Sequence, residues 1–320
     1  MSFSYRTKSE LCRISTDKKD VMVAELAGII HSSGIIQISG LGKYSLKLST
    51  ENAPLARKIF ALIKKLYNIN AEIAVRKNIR LRKNNNYLLI VPSSKDTKQI
   101  LLDTHSISTD HEGNVDLYRG IHRQLVHNRD FKMAYLRGAF LGSGSMSDPE
   151  KMYHLEFVTH RKYYGQELCA LINSLGLQSK TIERKNTYVV YMKEGEHIVT
   201  LLNMMGAHSA LLDFENIRVY KDVRNNINRI VNCETANLAK TINASMRQIE
   251  NIKYIDEVLG YKNLSPSLRE IAQYRLHYPD ASLRELGELL DPPIGKSGVN
   301  HRLRKLEKLA KDLREEKGEV

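Results

Sequence analysis

Apolar positions along residues 1–225 alternate between a helical spacing of three to four and a strand spacing of two. Two stretches, "ELAGIIHSSG" (Glu25–Gly34) and "YLRGAFLGSG" (Tyr135–Gly144), read as helices that close on a glycine suited to the C′ position. An alternating run follows each, "YSLKLST" from Tyr44 and "YHLEFVT" from Tyr153. It places Leu46 and Leu48, and correspondingly Leu155 and Phe157, on one strand face, with Thr50 matching Thr159. Amphipathic helices "APLARKIFALIKKLYNI" and "KYYGQELCALINSLGL" come next, and both copies then read R-K-N, at Arg76–Asn78 and Arg184–Asn186. Strands "YLLIV" and "YVVYM" and helices "TKQILLD" and "EHIVTLLNMM" complete the order a second time. Such a duplication predicts an α+β fold over residues 1–225, with repeat 1 at about 8–112 and repeat 2 at about 129–220, related by a pseudo-two-fold axis.

The pattern changes after this region. Ala236, Ala239, Ile242, Met246, Ile249 and Ile252 stand at helical spacing, which predicts a linker helix over residues 226–260. Strand patterns then vanish, and 261–320 reads as an all-α domain. Ser265 with Pro266 marks one helix start, and Pro279 its end. Ser282 and Glu285 form a capping box for the next helix, which Pro292 and Pro293 halt, and a third helix resumes near Ser297. Two helices joined by a tight connection, the second more basic, predict a helix-turn-helix at about residues 281–314.

Composition narrows the partners. With 49 Lys plus Arg against 36 Asp plus Glu, the net charge is +13 and the sequence pI is about 9.5, so a polyanion is the expected partner. No apolar run is long enough to span a bilayer and the N-terminus lacks a signal-type stretch, which predicts a soluble, cytoplasmic protein with no membrane role, and a DNA partner would make it nucleoid-associated. Cys12, Cys169 and Cys233 lie far apart, without the spacing of a zinc site or a disulfide framework. Neither metal nor cofactor is expected.

On the third C-terminal helix Val299, Leu303, Leu306 and Ala310 share a core-facing stripe. The remaining faces carry the candidate chemistry. Ser297, Asn300, His301, Arg302 and Arg304 are the expected base-reading residues, because amide and guanidinium groups pair with adenine and guanine edges. Lys296, Lys305 and Lys308 suit phosphates. Arg229 and Lys240 on the linker helix form a third strip, read equally well as phosphate contacts or as capping and interdomain hydrogen bonds. In "EIAVRKNIRLRKNNN", alternation sets Val75, Ile79 and Leu81 opposite Arg76, Arg80 and Arg82. That arginine row is either a secondary DNA contact or a solvated strand face. The "GKS" at Gly295–Ser297 is no P-loop, since Leu290 stands where its first glycine belongs.

The two glycine-ended stretches resemble the paired LAGLIDADG helices of homing endonucleases, which pack side by side and hang curved sheets over DNA. Gly28 and Gly138 fit that helix-pair packing, as a missing side chain lets backbones approach closely. In nuclease members the eighth motif letter is an acid that holds a divalent metal; here Ser33 and Ser143 stand there, and the sixth letters are His31 and Leu141. Asp148 and Glu150 follow the second motif with no counterpart after the first. No catalytic residue is therefore expected. Over its full length the chain resembles the WhiA family of Gram-positive bacteria, through "YLRGAFLGSGS", "NRIVNCETANLAK" and "SLRELGELLDPPIGKSGVNHRLRKL". The resemblance implies a degenerate LAGLIDADG domain fused to a helix-turn-helix. It also implies a non-enzymatic regulator that binds double-stranded DNA and serves transcription, sporulation, cell division or chromosome segregation. A transcriptional co-regulator or RNA polymerase is an expected protein partner. The alternative is an interaction module that recruits such a partner and binds DNA weakly, and a residual metal-dependent DNA endonuclease comes third.

Overall fold

A computed structural model describes residues 1–39, 42–77, 85–109 and 115–318. They form two compact units, Met1–Lys221 and Asp222–Val320.

The first unit is built twice on one plan. After α1 (Phe3–Leu11), the first copy runs α2 (Lys19–Ser33), β1 (Gly34–Ser39), β2 (Lys43–Thr50), α3 (Ala53–Tyr67), β3 (Glu72–Lys77), β4 (Asn85–Ile90) and α4 (Ser94–Asp103). A hairpin, β5 (Ile107–Thr109) and β6 (Val115–Leu117), joins it to the second copy. That copy runs α5 (Arg129–Ser143), β7 (Gly144–Met146), β8 (Leu155–Thr159), α6 (Lys162–Asn173), β9 (Lys180–Arg184), β10 (Thr187–Met192) and α7 (Gly195–Met205). Both sheets are antiparallel with the same topology, β1-β2-β4-β3 and β7-β8-β10-β9. In the first, Leu46 pairs with Ile36; in the second, Leu155 pairs with Met146. Leu46, Leu48, Leu155 and Phe157 are all buried, as the period-two pattern requires.

Helices α2 and α5 lie against each other at the centre, and their backbones nearly touch. A Cβ on Gly28 would stand 2.8 Å from the Ala139 nitrogen and collide with the Tyr135 carbonyl. One on Gly138 would stand 3.0 Å from the Glu25 carbonyl carbon and collide with its oxygen. A buried charge cluster stitches the same contact. Arg137 grips Glu25 through Nε at 3.1 Å and Nη2 at 3.4 Å, and donates from Nη1 to the Met205 carbonyl at 3.2 Å. Lys58 on α3 reaches Glu25 at 3.3 Å and also donates to the Ile14 carbonyl. The carboxylate thus meets two cations in a dry interior, so the loss of one partner would strand a buried charge.

His31, at the end of α2, is enclosed completely. Its Nδ1 lies 2.8 Å from the Tyr135 hydroxyl, and the rings of Tyr135 and Tyr164 present edges to it at 5.8 and 6.3 Å. Burial, with a smaller push from the Arg161 guanidinium, lowers its pKa to about 3.

The sequence reading has no counterpart for α1, for β1 and β7, or for the β5–β6 pair. Glu10 of α1 accepts from the backbone nitrogens of Ser209 and Ala210, at 2.6 and 2.9 Å, and so caps the next helix from a distance. That helix, α8 (His208–Val258), also corrects an expectation: it begins at His208, well before the expected linker start at 226. No Gly or Pro lies between His208 and Val258, so nothing interrupts the ladder until Gly260 at φ +76. The boundary between the units falls inside α8. The second unit continues with α9 (Pro266–His277), α10 (Leu283–Glu288) and α11 (Lys296–Lys317). Ser282 and Glu285 form the reciprocal capping box, whereas Ser265 makes no side-chain cap bond and leaves Pro266 to open α9.

Two measurements check this packing. Gly138→Ala forces α2 and α5 apart and lowers unfolding free energy by about 1–3 kcal/mol; urea titration of the full chain with wild-type stability would contradict it. For His31 the folded state binds fewer protons than the unfolded state between pH 6.5 and about 3, so stability is intact above that window and falls as pH drops. Between pH 7 and 5 this linkage removes about 2 kcal/mol, and His31→Gln flattens that slope even if its stability is lower throughout.

Candidate nucleic-acid interface

The second unit presents α11 by fixing everything behind it. Val299, Leu303, Leu306 and Ala310 are buried in a core shared with Ile252 and Ile255 of α8, Ile271 of α9 and Leu286 of α10. Gly287 allows the turn before α11 to close: the Ile294 nitrogen donates to the Gly287 carbonyl at 3.0 Å. A Cβ there would collide with the Ile294 carbonyl and press on Val299 at 3.2 Å. Arg275, only 2% exposed, holds the α9–α10 connection by donating to the carbonyls of Ala281 at 2.7 Å and Pro279 at 3.3 Å. Burial lowers its pKa from the usual arginine value. The sequence reading passed over this residue, although Arg275 stands four positions after Ile271 on the buried face of α9.

The outward side of α11 has a different character. Lys296, Ser297, His301, Arg304, Lys305 and Lys308 are exposed and Asn300 is half-buried. Among the described residues none of these seven makes a side-chain hydrogen bond or ion pair. Ser297, His301, Arg304 and Lys308 follow one another at spacings of four, three and four, one stripe opposite the core stripe. Arg302 departs from its expected base-reading role. Its Nη1 lies 3.4 Å from the Glu270 carboxylate and 3.5 Å from the Ser267 carbonyl, which ties α11 to α9. The reason is angular: residue 302 sits between the core stripe and the outer stripe, within reach of α9.

The secondary candidates are scattered. Arg229 and Lys240 are exposed on α8, three turns apart and on one face. Arg76 is exposed on β3, opposite Asn86 of β4. Arg80 and Arg82 lie outside the described residues. On the open face of the first sheet Lys47 donates to Gln37 at 3.4 Å. At the matching position of the second sheet stands Glu156, which accepts from Ser145 at 3.0 Å and pairs with His154 at 3.0 Å. The two open faces therefore carry opposite charges at corresponding points.

At the ends of the helix pair, Ser33 turns its hydroxyl back to the Ile29 carbonyl at 2.9 Å, and the Ser143 hydroxyl is buried without a partner. Leu141 is buried, and Asp148 and Glu150 are exposed. Glu150 donates its backbone nitrogen to the Asp148 carboxylate at 3.0 Å. Among the described residues no group of three His, Cys, Asp or Glu side chains is placed to share a cation. No helix among them is long and apolar enough to cross a membrane.

Comparison with known proteins accounts for both units. Residues 19–107 match the family model for the WhiA N-terminal LAGLIDADG-like domain, 132–224 that for the WhiA LAGLIDADG-like domain, and 227–310 that for the WhiA C-terminal HTH domain. A protein of Thermoanaerobacter pseudethanolicus named "Probable cell division protein WhiA" is 56% identical, over 98% of this chain and 99% of its own. One of the same name from Alkaliphilus metalliredigens is 55% identical, over 97% and 98%. The crystal structure of full-length DUF199/WhiA from Thermatoga maritima shares 25% identity and superposes with a TM-score of 0.60, covering 98% of this chain and 99% of that one. With a duplicated LAGLIDADG-like unit, a helix-turn-helix unit and relatives matched from end to end, this chain belongs to the WhiA family.

Proposed function

We propose that this chain is a non-enzymatic, DNA-binding regulator that reads double-stranded DNA with α11. The observation that carries the reading is the outer stripe of that helix. Ser297, His301, Arg304 and Lys308 are exposed and, among the described residues, uncommitted, on a helix held from behind by its buried core stripe and the Arg302–Glu270 tie. Ser297, Asn300 and His301 lie in the first two turns, the part of a recognition helix that enters the major groove. Arg304 reaches further along the same face, and Lys296, Lys305 and Lys308 provide counter-charges for the backbone. Arg229, Lys240 and Arg76 are further phosphate candidates on exposed surface.

The names of the relatives point to cell division, and transcriptional control, chromosome segregation and sporulation are roles compatible with a DNA reader of this kind. Such work places the protein in the cytoplasm, on the nucleoid. The helix pair serves as a structural axis. A neutral serine hydroxyl does not supply the hard anionic oxygen that a nuclease needs for its metal, and Ser33 is already spent on a helix carbonyl.

A second reading applies to the duplicated unit alone, that it recruits a protein such as a transcriptional co-regulator or RNA polymerase. It is favoured by Glu156, a carboxylate fixed in the open face of the second sheet where a DNA-holding saddle needs cations.

Mobility-shift titrations of full-length variants at several salt concentrations test the first reading. His301→Ala or Asn300→Ala weakens binding to the preferred sequence by about 1–3 kcal/mol and relaxes base preference. Lys308→Ala weakens all sequences alike and lowers the salt slope by about 0.9. If Arg304→Ala, His301→Ala and Lys308→Ala all bind as wild type does, α11 is not the reader. Supercoiled DNA incubated with the pure protein and magnesium or manganese is expected to remain uncut; nicks that scale with both protein and metal would restore an enzymatic role.

A further inference from the structure

Resting on the reading of α11 as the DNA-facing helix, one further surface stands out. Within the second unit α8 and α11 enclose an open groove of about 660 Å³. Arg247 stands on the α8 wall, and Arg304, Lys308, Lys311 and Arg314 stand on the α11 wall. Glu250 and Glu307 share the groove, so five cations stand with two acids, and among the described residues neither acid forms an ion pair with any of them. Two of the five cations are engaged: Lys311 meets Glu315 at 3.5 Å, and Arg314 lies over the Tyr254 ring at 4.7 Å. Arg247, Arg304 and Lys308 make no hydrogen bond or ion pair among the described residues. Three uncommitted cations on facing walls make a concave cationic surface.

The sequence reading placed Arg247 in no site, because on its own helix it is a single charge between Met246 and Gln248. The fold changes its meaning. Ile252 and Ile255 share one buried core with Leu303 and Leu306, Arg314 lies over the Tyr254 ring, and Arg247 lines the same groove as Arg304 and Lys308 of the outer stripe. We propose that this groove receives the sugar-phosphate backbone of one DNA strand, with Arg247 as a phosphate contact supplied from outside the helix-turn-helix. The footprint on that strand then extends past the bases read by the first turns of α11. A guanidinium suits the task, since it makes paired, charge-assisted hydrogen bonds to phosphate oxygens. Glu250 and Glu307 narrow the seat by repelling phosphates from their own positions, which leaves the Arg247–Lys308 side as the place of contact.

The test uses the full-length chain and its preferred duplex. Arg247→Ala is expected to raise Kd by about three- to tenfold at low salt, lower the slope of log K against log salt by about 0.9 and leave base preference unchanged. Arg247→Glu weakens binding further, while Arg247→Lys recovers most of the affinity. Thermal unfolding of the three variants matches wild type, because Arg247 is exposed and holds no other group. A wild-type salt slope in Arg247→Glu, with a lowered slope in Lys308→Ala, overturns the α8 contact and spares the α11 reading. If Lys308→Ala and His301→Ala are silent as well, the α11 reading fails and this contact fails with it.

Discussion

The contact of α2 with α5 is the constraint on which the first unit is arranged. Two helices whose backbones touch at Gly28 and Gly138 leave no room for side chains there, and each copy forms its own four-stranded sheet. Close approach also brings Glu25 and Arg137 face to face in the interior, where water cannot compensate either charge. Lys58 and the Met205 carbonyl complete the set, so α3 and α7 are fastened to the same axis. His31 and Tyr135 add a buried polar contact between the same two helices, ring nitrogen to hydroxyl at 2.8 Å.

The second unit follows a different logic, in which one helix is held so that its far side stays free. Apolar burial fixes the rotation of α11, the Arg302–Glu270 pair fixes its flank and Arg275 fixes the α9–α10 connection behind it. Rigid support of this kind spares any partner of the outer stripe the cost of ordering the helix beneath it. Arg275 is interior yet fully useful, because carbonyls at a sharp turn have no ladder partner and a guanidinium reaches several at once.

The charge balance divides the labour between the units. The basic excess read from composition is not spread evenly over candidate surfaces. On α11 it gathers into an unpaired stripe, whereas the sheets of the first unit set Lys47 against Glu156 at equivalent points. Duplication fixed the backbone of the two copies more strictly than their exposed side chains.

Much of this was legible in the chain itself, wherever a local period carried the information. The doubled order of helices and strands, the glycines of the helix pair, the Ser282–Glu285 capping box and the core stripe of α11 all follow from spacing, because a helix or strand converts spacing directly into direction. Long-range partners have no such period. Nothing near Arg302 announces Glu270, nothing near Ser209 announces the Glu10 cap, and nothing near Arg247 announces α11. The start of α8 was missed for the same reason: its N-terminal cap comes from another helix. The sequence by itself determined which elements form and which faces they bury; only tertiary structure decided which charged side chains are spent on holding the fold and which remain for a partner, since that depends on what the fold brings within hydrogen-bonding reach.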